Sequence, residues 1–201
     1  MQRETRSGWW VMPDLSLNSG QVLLDLARRA IQSFLQTRSV QQGVGIAQEN
    51  IAYNQELLLE RGCFVTLRKE RALRGCVGTF EANQPLFQAV MRMAVAAAFE
   101  DTRFPPLLPL ELDLIRLEIS VLGELRKINS FKELQIGKHG VYVKFGRKNG
   151  TFLPDVAVEE GWTSEEFVHF CAREKARLAP EELACAEIYL YEVEKIAEKE
   201  A

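Results

Sequence analysis

The sequence predicts an α+β fold with a mixed, mainly antiparallel sheet packed by helices. Helical and strand periodicities interleave along the chain, which calls for both kinds of element in one core. Two pairs of strand-like segments lie close enough together to be hairpins, which a purely parallel sheet would not contain. No internal repeat or low-complexity block interrupts the pattern.

Residues 1–18 read as a tail whose strong anchors are Trp9 and Trp10. A first helix is expected over Gly20–Thr37. Val22, Leu23, Leu26, Ala27, Ala30, Ile31 and Phe34 recur at helical spacing, Ser19 serves as N-cap, and Arg28, Arg29 and Gln32 face water. A polar loop, Arg38 to Glu49, follows. Gly62–Leu67 and Leu73–Val77 read as strands joined by the charged turn Arg68-Lys69-Glu70-Arg71-Ala72. A second helix starts near Asn83 with Pro85 in its first turn, and buries Leu86, Ala89, Val90, Met93, Ala94 and Ala97.

Phe104-Pro105-Pro106-Leu107 halts regular structure, because proline lacks the amide a helix or ladder needs. Ile115, Leu117, Ile119 and Val121 alternate with Arg116, Glu118 and Ser120, the pattern of a half-buried strand. Val141–Phe145 forms another, with Asn149-Gly150 as a tight turn returning through Thr151-Phe152-Leu153. A third helix opens at Thr163 with Glu166 completing a capping box and Trp162 stapled onto Phe167. Its inner face carries Phe167, Phe170, Cys171 and Leu178. A last strand spans Glu187–Val193, and a charged, frayed tail starts at Ile196.

A chain of 201 residues is long enough to bury a core without metal or disulfide support. Its net charge of -3 argues against a dedicated nucleic-acid binder. Four cysteines, Cys63, Cys76, Cys171 and Cys185, include no CxxC spacing, which points to reduced thiols in a cytoplasmic protein. No signal-peptide core and no apolar run near the roughly 18 residues of a membrane span is present. No metal site and no cofactor are expected. His169 and Cys171, two apart on a helix, point to different sides, and HExxH and P-loop spacings are absent.

Cys76 is the sharpest chemical candidate, because Gly75 and Gly78 beside it remove side-chain cover and let a ligand or another backbone approach. Arg74 could lower the thiol pKa or hold an anion, and the thiolate would be the reactive form. The bland alternative is a small buried hydrophobe. His139, in a turn-like Lys138-His139-Gly140 stretch, could serve as base or be an idle surface histidine, whereas His169 lies among apolar helix neighbours and reads as structural. Cys63 and Cys76 share a face if paired residue numbers in the hairpin sum to an odd total, and opposite faces if the sum is even. Glu100 and Asp101 sit at a helix C-terminus, where negative charge opposes the dipole. Arg103 or Arg74 should compensate them, either fastening the following proline loop or presenting a carboxylate beside Cys76. Asp155, after Pro154, is a helix cap or a site residue.

Leu73-Arg74-Gly75-Cys76-Val77-Gly78-Thr79-Phe80 resembles the signature segment of the AMMECR family. Gly62–Leu67, Glu100–Pro106, Gly137–Val141 and Phe152–Ala157 with Trp162 match in type, order and spacing, so the resemblance covers about residues 20–195. Val77, Thr102 and Asp155 depart mildly, standing where isoleucine, proline and glutamine are usual. The resemblance implies one domain over residues 19–197, built as two intertwined lobes with a cleft near the signature. It also implies association with Memo-like and radical-SAM proteins, and it brings no settled activity. Two readings follow. One is a binding or accessory module for a small molecule, peptide or partner, with contacts from Arg74, Gly75, Gly78, Thr79, Asp101 and Arg103. The other is an enzyme acting on a small anionic or modified substrate, with Cys76 as nucleophile, His139 as base and Arg74 as anion clamp.

Overall fold

A computed structural model describes residues 3–4, 10–11, 15–38, 54–80 and 82–199. Trp9 and the loop beyond Arg38 lie outside these, and the backbone of Trp10–Val11 pairs with Arg3–Glu4. The chain divides into two compact units. The first runs to Leu122 and takes in Glu194 onward; the second is Gly123–Val193. The α+β expectation holds. Among the described residues no helix is long and apolar enough to cross a membrane.

In the first unit, α1 is Leu17–Thr37, starting earlier than the sequence predicted. Ser16, not Ser19, is its N-cap, accepting from the Ser19 amide at 3.2 Å. The Ser19 hydroxyl is buried and already engaged, taking a hydrogen bond from Asn54 and donating to Glu56. Asn54 in turn caps the short helix α2, Gln55–Leu58. Arg28 does not face bulk water as expected. It donates to the carbonyls of Leu112 and Ile115 and forks onto Glu198. Glu198 was expected in a frayed tail; instead its amide bonds the Leu117 carbonyl and its carboxylate accepts from the Leu117 amide.

Strands β1 (Cys63–Lys69), β2 (Ala72–Thr79) and β3 (Ile115–Leu122) form an antiparallel sheet with β1 in the middle. The β1–β2 turn is tighter than the predicted five residues. Glu70 and Arg71 alone make it, at φ of 50° and 67°, the left-handed pair that matches strand twist. Neither is glycine or asparagine, so no composition cue marked it. The register pairs Cys63 with Thr79 and Thr66 with Cys76, an even sum, so the two cysteines point to opposite faces. Register then slips: Leu67 pairs Gly75 and Arg68 pairs Leu73, which leaves Arg74 as the extra residue of a bulge.

Helix α3, Leu86–Phe99, covers this sheet with Pro85 as its N-cap, one step outside the predicted first turn. It is buried almost all round, Phe87, Met91, Val95, Ala96 and Ala98 joining the predicted stripe. Its alanines let it sit directly on the strands. A Cβ on Gly75 would collide with the Ala97 carbonyl oxygen, so the glycine admits the helix backbone itself. Gly78 similarly makes room for the ring of Phe64.

In the second unit, β4 (Arg126–Ile128), β5 (His139–Phe145), β6 (Lys148–Phe152) and the first part of β7 (Glu187–Ala197) are ordered β4-β7-β5-β6, all antiparallel. The β5–β6 turn is Gly146-Arg147, not Asn149-Gly150. Gly150 sits inside β6 because a Cβ there would strike the backbone of Lys175–Ala176; close packing, not turn chemistry, requires it. An unpredicted helix, α4 (Pro154–Glu160), follows, with Pro154 and Asp155 in its first turn and Gly161 ending it in the left-handed region. Helix α5 (Ser164–Phe170) has the predicted Thr163–Glu166 capping box and continues as a π turn, Cys171–Lys175. Trp162 stacks most closely on Phe170, ring centroids 4.3 Å apart, rather than on Phe167 at 6.4 Å. Short α6 (Pro180–Leu183) leads into β7.

Gly75→Ala should lower stability by about 3 kcal/mol in urea unfolding, because the helix must lift off the strand. Gly146→Ala, with a φ of 57° but open space around it, should cost only about 1 kcal/mol. Equal losses would show that the Gly75–Ala97 approach is not tight.

Candidate functional site

Strand β2 lies at the edge of the first unit's sheet, so the backbone groups of Cys76 that face away from β1 need partners. They find them in two side chains just past the end of α3. The Cys76 amide donates to Asp101 Oδ2 at 2.8 Å, and Arg103 Nη2 donates to the Cys76 carbonyl at 3.0 Å. Asp101 and Arg103 are joined to each other by Nε–Oδ1 at 2.9 Å and Nη2–Oδ2 at 2.6 Å. Together they stand in for a neighbouring strand over one residue. Asp101 also accepts from the Arg103 amide at 3.2 Å. Arg103 first, then the Cys76 and Arg103 amides, hold its carboxyl well below the usual range, at about 2, against the opposing effect of burial. Asp101 is therefore fastened by Arg103, as one of the two expectations had it, and it reaches Cys76 through that residue's backbone amide.

The Cys76 thiol is partly exposed, and its sulfur accepts from Thr66 Oγ1 at 3.3 Å. The cation next to it is Arg103, whose own pKa is raised by Asp101 and further by Cys76. Arg74, the expected clamp, is directed elsewhere. Displaced by the bulge, it meets Glu111 through Nε–Oε1 at 3.1 Å and Nη2–Oε2 at 2.8 Å. The two side chains are 11% and 14% exposed. Glu111 also takes a hydrogen bond from the Leu108 amide at 3.1 Å and an ion pair from Lys69 at 3.1 Å. Arg74 lowers the Glu111 pKa to about 2, ahead of the Leu108 amide and Lys69.

Sequence reasoning missed Glu111 and Thr66. Thr66 was readable only once the hairpin register was known. Glu111 lies 37 positions from Arg74, and nothing local in Pro109-Leu110-Glu111 marks it as an arginine partner. Of the two approaches expected at the glycines, a ligand or another backbone, Gly75 admits a backbone, that of Ala97, while Gly78 admits the ring of Phe64. Thr79 ends β2 opposite Cys63.

His139 is not in a turn. It begins β5 in the second unit and is 1% exposed. Its Nδ1 accepts from the Gln135 amide at 3.1 Å, which fixes Nδ1 as the unprotonated nitrogen. Burial first, and then the Lys138 cation, lowers its pKa, so it is neutral and sealed into the core rather than presented to solvent. His169, read as structural, is instead half exposed on α5, 3.9 Å from Glu165. Asp155 lies in the first turn of α4, where a carboxylate complements the helix dipole. Cys63 and Cys171 are buried and their thiols pushed up to about 12 by burial. Among the described residues no group of three or more His, Cys, Asp or Glu side chains is placed to hold a metal ion.

The family model AMMECR1 matches residues 24–196. Protein MK0488 of Methanopyrus kandleri is 38% identical over 198 residues, covering 92% of this chain and 91% of that protein. Protein MJ0810 of Methanocaldococcus jannaschii is 36% identical over 189 residues, covering 90% and 89%. The crystal structure of the uncharacterized protein PH0010 from Pyrococcus horikoshii superposes with a TM-score of 0.76 at 31% identity, over 90% of this chain and 91% of that one. The match runs from α1 through the signature strand to β7, so this chain belongs to the AMMECR1 family.

Proposed function

We propose that this protein is a cytoplasmic binding or accessory module that docks partner proteins through the loop between α3 and β3. The observation that carries the reading is the Arg74–Glu111 pair. It holds the loop rigidly while Leu107 and Leu112 turn inward and Leu108, Leu110 and Leu114 are held out, Leu110 at 87% exposure. Exposed leucines on a braced loop cost less backbone ordering entropy on binding than they would on a free one, and favour a protein partner. Arg103, 54% exposed, adds a cation beside them in the chain. The Memo-like and radical-SAM proteins that the family resemblance implies are the partners proposed. Four free cysteines suit a reducing compartment.

A cysteine-dependent enzyme acting on a small anionic substrate is the second reading. It is favoured by a partly exposed Cys76 with the Arg103 guanidinium at its carbonyl. It lacks a base: the hydroxyl of Thr66 donates to the sulfur, and His139 is buried.

Leu110→Asp and Leu108→Asp should each weaken capture of a purified Memo-like partner at least tenfold, with the melting temperature nearly unchanged; unaltered affinity for both would overturn the docking surface. Arg74→Ala should cost about 1–2 kcal/mol of stability in urea unfolding, because Glu111 loses its two-pronged partner and keeps only Lys69 and the Leu108 amide.

Asp101 and Glu111 have folded pKa values depressed to about 2. Their stabilisation is therefore complete above their unfolded values near 4 and is lost as pH falls from there toward 2. Asp101→Asn and Glu111→Gln should each flatten the acid limb of a stability–pH curve, and an unchanged limb would contradict the assignment.

Iodoacetamide should modify Cys185 and Cys76 in the folded protein, and Cys63 and Cys171 only after unfolding. Loss of the Cys76 reaction in the native state would remove the enzyme reading.

A further inference from the structure

The second unit contains a cavity that none of the preceding assignments uses. It has a volume of about 470 Å³, is about half open to solvent, and lies between the end of β4, the turn after it, α5, α6 and the start of β7. Its walls combine an apolar body with a polar rim. Phe131, Leu183 and Ile188 supply the apolar contacts; Asn129, Ser130 and His169 supply hydrogen-bonding groups. That size and mixture are those of small-molecule sites, in which apolar walls contribute affinity and a few polar groups fix orientation.

The charges around it are balanced. Lys127 lines the cavity, but its ammonium is 2.6 Å from the Glu187 carboxylate. His169 faces Glu165 at 3.9 Å. An anionic ligand would meet the Glu187 carboxylate beside Lys127 and the Glu165 carboxylate beside His169. A cation would find Glu187 already neutralised by Lys127. An uncharged ligand disturbs neither pair. Phe131 and the His169 ring, both in the lining, are 6.3 Å apart at 69°, an edge-to-face pair of the kind on which a flat guest can pack. The cavity is also too large for a lone six-membered ring to fill.

We infer that this cavity binds an uncharged, planar heteroaromatic compound of about nucleoside size. Its ring packs against Phe131, Leu183 and Ile188, and its polar edge bonds to Asn129, Ser130 and His169. The site takes the neutral form of such a compound in preference to its phosphorylated form.

Cys185 provides the test, because it is exposed and lies between the lining residues Ala184 and Ala186. The full-length protein is treated with iodoacetamide in the presence of millimolar adenosine, guanosine, cytidine or uridine, and in parallel with the corresponding monophosphates. Alkylation of Cys185 is read by mass spectrometry, with Cys76 as the internal control, and His169 ring resonances are followed by NMR. At least one nucleoside should slow Cys185 modification several-fold and shift the His169 signals while leaving Cys76 unaffected, and its monophosphate should protect less. Ala184→Trp should fill the cavity and abolish the protection; Asn129→Ala, at an exposed position, should weaken it without touching the fold. No protection by any nucleoside, equal or better protection by the monophosphate, or protection indifferent to both substitutions would each overturn the inference.

Discussion

The first unit depends on one close approach, the backbone of α3 at Ala97 resting on the backbone of β2 at Gly75. With no Cβ between them, the helix ends directly over the edge strand. The chain leaving it then carries Asp101 and Arg103 within hydrogen-bonding reach of Cys76. Any larger residue at Gly75 would raise the helix and break that reach. The edge strand would then expose the unpaired amide and carbonyl that sheet proteins generally cover.

A bulge at Arg74 stands immediately before this contact in the strand. An unbulged strand would place residues 74 and 76 on the same face, and Arg74 would stand beside the thiol. The extra residue re-aims the guanidinium toward Glu111, and Arg103 takes the position next to Cys76. The signature segment therefore reads as a structural joint. Arginine, two glycines and cysteine at fixed spacing serve a strand that must accept a helix on one side and brace a loop on the other.

The leucines left outside by that brace are Leu108, Leu110 and Leu114. A loop with three prolines and several leucines would ordinarily collapse onto the nearest apolar surface. Glu111 prevents this by accepting from Arg74, Lys69 and the Leu108 amide together, which fixes the loop path and decides which leucines are buried.

Sequence periodicity alone determined the α+β class, α1, the β1–β2 hairpin, the β3 alternation and the Thr163–Glu166 cap, because each is set by residues within one or two turns of one another. It placed the β5–β6 turn at Asn149-Gly150 and His139 in a loop, because dipeptide preferences are weak beside the packing of Gly150 on the π turn and of His139 in the core. Resemblance of short motifs indicated the family without indicating which glycine faced a ligand and which faced a helix. Only tertiary structure decided that Arg74 belongs to Glu111, that Arg103 belongs to Cys76, and that the two hairpin cysteines lie on opposite faces. The physical reason is the same in each case. A bulge, a register and an ion pair spanning dozens of residues are properties of strands laid side by side, and no local stretch of chain contains them.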